Sequence, residues 1–136
     1  PEQQTQILEY VDQVGINRPY PVQVLHPPIQ PETADWREYY KMFNLNHPHQ
    51  YLNGGIWPWV GGLYVAALVK AGHRQRAREE LELLASALRL GKREWECNEW
   101  LHGVTGKPMG VSSQAWSAGM YVYAYHAVQT GETPGF

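Results

Sequence analysis

Apolar residues first recur at helical spacing between Glu2 and Val14, where Ile7, Leu8, Val11 and Val14 share one face and Gly15 supplies a stop, predicting an amphipathic helix. From Ile16 to Pro31 that period is lost. Pro19, Pro21, Pro27, Pro28 and Pro31 preclude a regular helix, and Val22, Val24 and Leu25 suggest one extended piece within an ordered loop. Asp35 is placed to cap a short helical turn through Trp36 to Phe43, after which Asn44, Asn46, His47, Pro48 and His49 return the chain to loop. From Gly61 to Ala71, Leu, Val and Ala cover most faces of a helix, so it belongs between other helices, and Gly72 ends it. Arg74 to Leu90 carries Ala77, Leu81, Leu84, Ala85 and Leu88 on one side and Arg74, Arg76, Arg78, Glu79, Glu80 and Glu82 elsewhere. That pattern makes an amphipathic outer helix, closed by Gly91. Trp95 to Gly110 is irregular, with Gly103, Gly106, Pro108 and Gly110; Ser112 or Ser113 then caps a last helix from Gln114 to about Val128, ended by Gly131 and Pro134.

A buried helix joined through one tight turn to an amphipathic partner is the repeating unit of helical toroids and solenoids. The expected class is therefore all-α, with paired inner and outer helices and long loops. Both inner helices follow a long loop, and loops gathered at one end of such a barrel are where sites are built.

The stretch Asn53-Gly54-Gly55-Ile56-Trp57-Pro58-Trp59 has no apolar period and spends two glycines and two indoles on a helix entry. Glycines allow close backbone approach, and the flat faces of Trp57 and Trp59 suit a sugar ring; the same rings also suit core anchors at a helix start. Composition adds to this picture, with six Trp and nine Tyr against two Phe. Rings with a polar tip favour a boundary between packed and wet surroundings, such as the lining of a cavity.

At 136 residues the chain suffices for one modest core and a single domain. Eleven Lys and Arg against 13 Asp and Glu, scattered along the chain, make no basic stripe for nucleic acid. The longest apolar run, near Val60 to Val69, is broken by Gly61 and Gly62 and is too short to cross a bilayer. A cytoplasmic protein is the expectation, with secretion kept as the alternative because the chain starts at Pro1 and not Met, a start that also reads as a fragment or a processed chain. Cys97 stands alone, which builds neither a disulfide framework nor a zinc site. His47 and His49 flank Pro48 without a neighbouring carboxylate or thiol, so hydrogen bonding is expected of them and metal binding is not. No lysine follows the glycines as in a phosphate loop, and neither Cys97 nor Ser112-Ser113 has the setting of a nucleophile; no cofactor is expected.

The loop Glu94-Trp95-Glu96-Cys97-Asn98-Glu99-Trp100-Leu101-His102-Gly103 sets carboxylates among indoles. A carboxylate beside apolar rings is partly desolvated, which suits acid or base work near neutral pH, and Glu99 is the favoured candidate. Glu94 and Glu96 read as solvated charges. Gln114 and Trp116 offer an amide and a stacking face, or else a helix-start polar group and a core ring.

Several pieces occur together in a telling order: Asn53-Gly54-Gly55 with Trp57-Pro58, then Glu99-Trp100-Leu101-His102-Gly103 with Gly106 and Gly110, then Gln114-Ala115-Trp116-Ser117. With the segment from Leu25-His26-Pro27-Pro28 to Trp36-Arg37, they resemble the C-terminal part of the neutral and alkaline invertases. Nearly the whole chain is covered. The resemblance implies an incomplete (α/α)6 barrel, of which residues 1–136 are the C-terminal portion, and inverting hydrolysis of sucrose. It also implies that Glu99 matches the family's general base, the glutamate opening a Glu-Tyr-Tyr-Asp-Gly motif, and that Asn53, Trp57, Gln114 and Trp116 line the sugar pocket. This chain departs from the motif with Trp100-Leu101-His102, with Asn98 in place of proline and with Leu52 in place of histidine. Glycogen-debranching glucosidases of the same barrel type are similar at Trp57-Pro58-Trp59 and Gln114-Ala115-Trp116-Ser117, so α-glucosidic substrates are also implied. In the family the acid lies upstream of this chain, and neither Asp12 nor Asp35 sits in a comparable motif. The isolated chain is thus expected to be inactive and to belong to a longer protein or a homo-oligomer. The alternatives are a non-catalytic carbohydrate-binding or structural remnant, and a sugar epimerase using His47, His49 or His102 as acid and base.

Overall fold

The computed structural model describes residues 2–135, and they are mostly helical with one small two-stranded sheet. The helices are α1 (Glu2–Val14), α2 (Pro58–Lys70), α3 (Arg74–Arg89) and α4 (Ala115–Thr130), with a 3-10 segment at Glu38–Asn44 that kinks at Met42 and Phe43. Pro58 opens α2 at a position whose N–H would have no helical partner. Gly72, at φ 85°, turns the chain tightly into α3. Gly131, at φ 81°, ends α4 in a left-handed cap whose N–H donates to the Ala127 carbonyl at 2.8 Å.

α2 packs against both α3 and α4, and α3 against α4. Val65 and Leu68 from α2, Ala77 and Leu81 from α3, Ala124 and Ala127 from α4 and Leu8 and Val11 from α1 form one apolar cluster. Each leucine fully withdrawn from water here contributes about 1.5–3 kcal/mol. The periodicity of α3 is realised as expected, with Ala77, Leu81, Leu84 and Leu88 buried. Glu80 departs from it: expected on the polar side, it is 2% exposed. Asn17 Nδ2 donates to its Oε1 at 2.7 Å and Arg18 Nη1 at 2.8 Å, so the 16–18 turn brings the donors that let a carboxylate face inward.

The all-α expectation needs correction at the hairpin of β1 (Trp100–Leu101) and β2 (Pro108–Met109), antiparallel with Trp100 opposite Met109. Ile56 and Leu101 exchange backbone hydrogen bonds of 2.8 Å in both directions, and Gln23 bridges Ile56 from the other side. Short extended pieces from three distant loops satisfy one another there, a pairing with no local signature. Both expected side-chain caps are absent: Arg37 precedes the 3-10 segment without a side-chain cap, in place of Asp35, and Gln114, not Ser112 or Ser113, is the N-cap residue of α4. Ser113 instead donates its N–H to the Glu96 carbonyl at 2.7 Å, which fastens the incoming loop. No helix among the described residues is long and apolar enough to cross a membrane.

Candidate active site

Gly62 and Met120, each in the second turn of its helix, meet where α2 and α4 cross, and further along Leu68 and Val69 share a cluster with Ala124 and Ala127. The two helices therefore start at the same end. At that end the entry to α2, the hairpin and the loop before α4 converge.

Glu99 lies at the head of the hairpin, partly buried. Its N–H donates to the Val111 carbonyl at 2.8 Å, and the Val111 N–H donates to Glu99 Oε2 at 3.1 Å. Backbone and side chain are both tied to one residue across the turn, and Oε1 makes no hydrogen bond among the described residues. Next to it, Trp100 is 1% exposed, its Nε1 is buried without a partner among the described residues, and the Tyr51 ring meets it edge-on at 5.9 Å.

Tyr51 links this pair to Trp57, whose ring lies 5.1 Å away and whose Nε1 donates to the Tyr51 carbonyl at 3.0 Å. Trp57 is buried, whereas Trp59 and Trp116 are turned outward. Gln114 is drawn in from the α4 side: its N–H donates to the Cys97 carbonyl at 2.9 Å, and Ser117 Oγ donates to the Asn98 carbonyl at 3.3 Å. The side chain of Asn53 points elsewhere. Its Oδ1 accepts from the Ile29 N–H at 2.7 Å, and its Nδ2 donates to the carbonyls of Ile29 and Asn46 at 2.9 and 3.0 Å. Asn53 thus staples the loops beside the site with its polar atoms fully occupied. Tyr51 and Val111 carried no sequence signal, since one acts through ring placement and the other through a backbone amide.

A cleft of about 330 Å³ lies beside the hairpin, lined by Gly91, Lys92, Glu96, Asn98, Pro108, Gly110 and Ser112, with Glu99 outside its lining. Glu96 turns its Oε2 to the N–H groups of Lys92 and Arg93, which gives it a loop-closing role. On the far side of the hairpin His49 and His102 face each other, ring centroids 6.3 Å apart. His102 Nδ1 accepts from the N–H groups of Val104 and Thr105, while His49 Nδ1 is buried without a partner among the described residues. Burial, and then the neighbouring His49, push His102 below the ordinary imidazole range. Among the described residues no three His, Cys, Asp or Glu side chains are grouped to share a metal ion.

A mostly helical scaffold whose loops meet at one end around a short hairpin is the class of protein that the fold defines. Comparison with known sequences carries this further. Residues 1–130 match the model of the alkaline and neutral invertase family. Probable alkaline/neutral invertase D of Arabidopsis thaliana is 33% identical over 132 residues, 91% of this chain and 23% of that protein. Cytosolic invertase 1 of Oryza sativa subsp. japonica is 31% identical over 129 residues, 91% of this chain and 22% of its own length. Neutral/alkaline invertase 1, mitochondrial, of the same rice is 29% identical over 105 residues, 75% of this chain and 16% of that protein. The chain belongs to the alkaline and neutral invertase family and spans less than a quarter of these relatives.

Proposed function

We propose that this chain supplies the general base of an inverting glycoside hydrolase acting on sucrose-like or α-glucosidic substrates, and that Glu99 is that base. The observation that carries the reading is the asymmetry of its carboxylate: Oε2 is held by the Val111 N–H and Oε1 is left for a water molecule. In the step proposed, Oε1 takes a proton from water as the water oxygen bonds to the anomeric carbon. The bond from that carbon to the glycosidic oxygen breaks, and its electron pair leaves with the departing oxygen, which takes a proton from an acid. The acid would stand about 6.5–9.5 Å from Glu99 to leave room for the water. Asp12 is engaged by Arg76 at 2.8 Å and Glu96 by its own loop, so we assign the acid to no described residue and regard residues 1–136 alone as inactive.

Trp116, half exposed at the head of α4, and the Gln114 amide are the proposed sugar contacts. Trp57, held to Tyr51, and Asn53, held to Ile29 and Asn46, are given the supporting part of fixing the loops beside the site. The chain would form the C-terminal portion of an (α/α)6 barrel. The outward Val122 and Tyr125 of α4 support this, since they leave apolar surface for further helices of a longer chain or a second copy. A cytoplasmic location is proposed with it, although the names of the relatives include both cytosolic and mitochondrial proteins.

Glu99→Gln in the intact protein tests the reading. It should abolish sucrose hydrolysis while tryptophan fluorescence still reports sugar binding, and the first sugar anomer released by the unaltered protein should be the inverted one. Retained turnover would remove Glu99 from the mechanism. Sugar-dependent quenching without turnover in the unaltered protein would favour a non-catalytic binding role.

A further inference from the structure

We propose that Gly110 is a positioning residue for the Glu99 carboxylate, acting through the space its missing side chain leaves; the inference rests on the reading of Glu99 as the base. Gly110 sits at φ 71° between the hairpin and Val111, whose N–H holds Glu99 Oε2. A Cβ at position 110 would stand 2.5 Å from Glu99 Oε2 on one side and 2.7 Å from Trp100 Cδ1 and 2.8 Å from Trp100 Nε1 on the other. These neighbours do not yield alike. Trp100 is 1% exposed and packed edge-on against Tyr51, so it has little room to move, whereas the carboxylate is the far end of a flexible, partly exposed side chain. Any side chain at 110 therefore displaces the carboxylate from the Val111 N–H and re-aims Oε1, while the exposed backbone at 110 shifts by a few tenths of an ångström to clear Trp100. Both adjustments fall at the outer edge of the hairpin, where Gly110 is exposed and Glu99 partly exposed, so the packed core around Trp100 is kept.

The proposal separates cleanly from ordinary backbone strain. Gly15 has the same φ of 71° with no atom within 4 Å of its would-be Cβ, so alanine there meets the strain without the carboxylate. Asparagine tolerates the left-handed region while still carrying a Cβ.

The test is a set of variants in the intact protein, read as sucrose hydrolysis. Gly110→Ala and Gly110→Asn should each lower kcat by about 10²-fold, the scale of an ångström-sized misplacement of a reacting group, with KM within about two-fold. Gly15→Ala should leave kcat unchanged. In a Glu99→Asp background, whose shorter side chain already withdraws the carboxylate from position 110 and leaves a measurable rate, Gly110→Ala should cause no further loss, because its effect runs through that carboxylate. An active Gly110→Asn, an equal loss in Gly15→Ala, or a multiplied loss in the double variant would each overturn the proposal. A fully active Glu99→Gln would instead bring down the reading of Glu99 itself, and an inactive Glu99→Gln beside an active Gly110→Ala would bring down only the role of Gly110.

Discussion

Gly62 of α2 and Met120 of α4 meet with no room to spare: a Cβ on Gly62 would stand 2.7 Å from the Met120 carbonyl oxygen and 2.9 Å from its Cβ. This contact sets the spacing of the two helices whose heads carry Trp57 and Gln114. Alanine normally improves a helix interior over glycine by about 1 kcal/mol, but backbone in the way reverses the sign. Gly62→Ala should destabilise the protein by about 1–3 kcal/mol in urea unfolding, the range for overpacked sites. Gly119→Ala, with nothing within 4 Å, should show the opposite sign, a gain of about 0.5–1 kcal/mol.

Glu80 anchors the 16–18 turn to α3 from inside. Its loss leaves Asn17, only 2% exposed, without its closer carboxylate partner, Asp12 Oδ1 being 3.2 Å away. Glu80→Ala is expected to lower unfolding free energy by about 1–3 kcal/mol, the usual range for a buried group stripped of its partner. Arg18→Ala should cost less than about 1 kcal/mol, because the Arg18 side chain is 55% exposed and its ion pair is screened by water. A larger loss from Arg18→Ala than from Glu80→Ala would contradict this ordering.

Asn53 is the hub of the loops beside the site. Asn53→Asp keeps the acceptor for the Ile29 N–H but sets an oxygen against the carbonyls of Ile29 and Asn46. Faster proteolysis between residues 28 and 52 and a loss of about 1–3 kcal/mol are expected. Unchanged protease resistance with weakened sugar binding would show that the asparagine serves the ligand and not the loops.

The pH dependence follows from His102, held below the ordinary value of 6.5 by burial and then by His49. The unfolded chain takes up the proton first as the pH falls, so this group's contribution is intact above about pH 6.5 and is lost as the pH drops through the folded-state value. His102→Asn keeps an acceptor for Val104 and Thr105 and does not titrate. Its urea midpoint should change less than that of the unaltered protein between about pH 7.5 and about pH 5.5.

The helices were legible because each of their signals is local. Leu8 and Val11, the apolar run from Val65 to Val69, and Leu81, Leu84 and Leu88 repeat at the helical period, and Gly72 and Gly131 punctuate it. Glu99 stood out by residue type among indoles, and the family was legible in the short motifs around it. What surrounds Glu99 was not legible. The pairing of Ile56 with Leu101 joins residues 45 positions apart, and that of Gln23 with Ile56 joins 33, through backbone groups that every residue possesses. The donor that holds Glu99 is likewise a plain amide, and the burial of Glu80 depends on a turn more than 60 residues earlier. Periodicity records which face of a segment avoids water, and so it determined the helices. Only the tertiary structure decided which loops meet, which carboxylates gain partners and which of the indoles remain open to solvent, because those are properties of pairs brought together by packing.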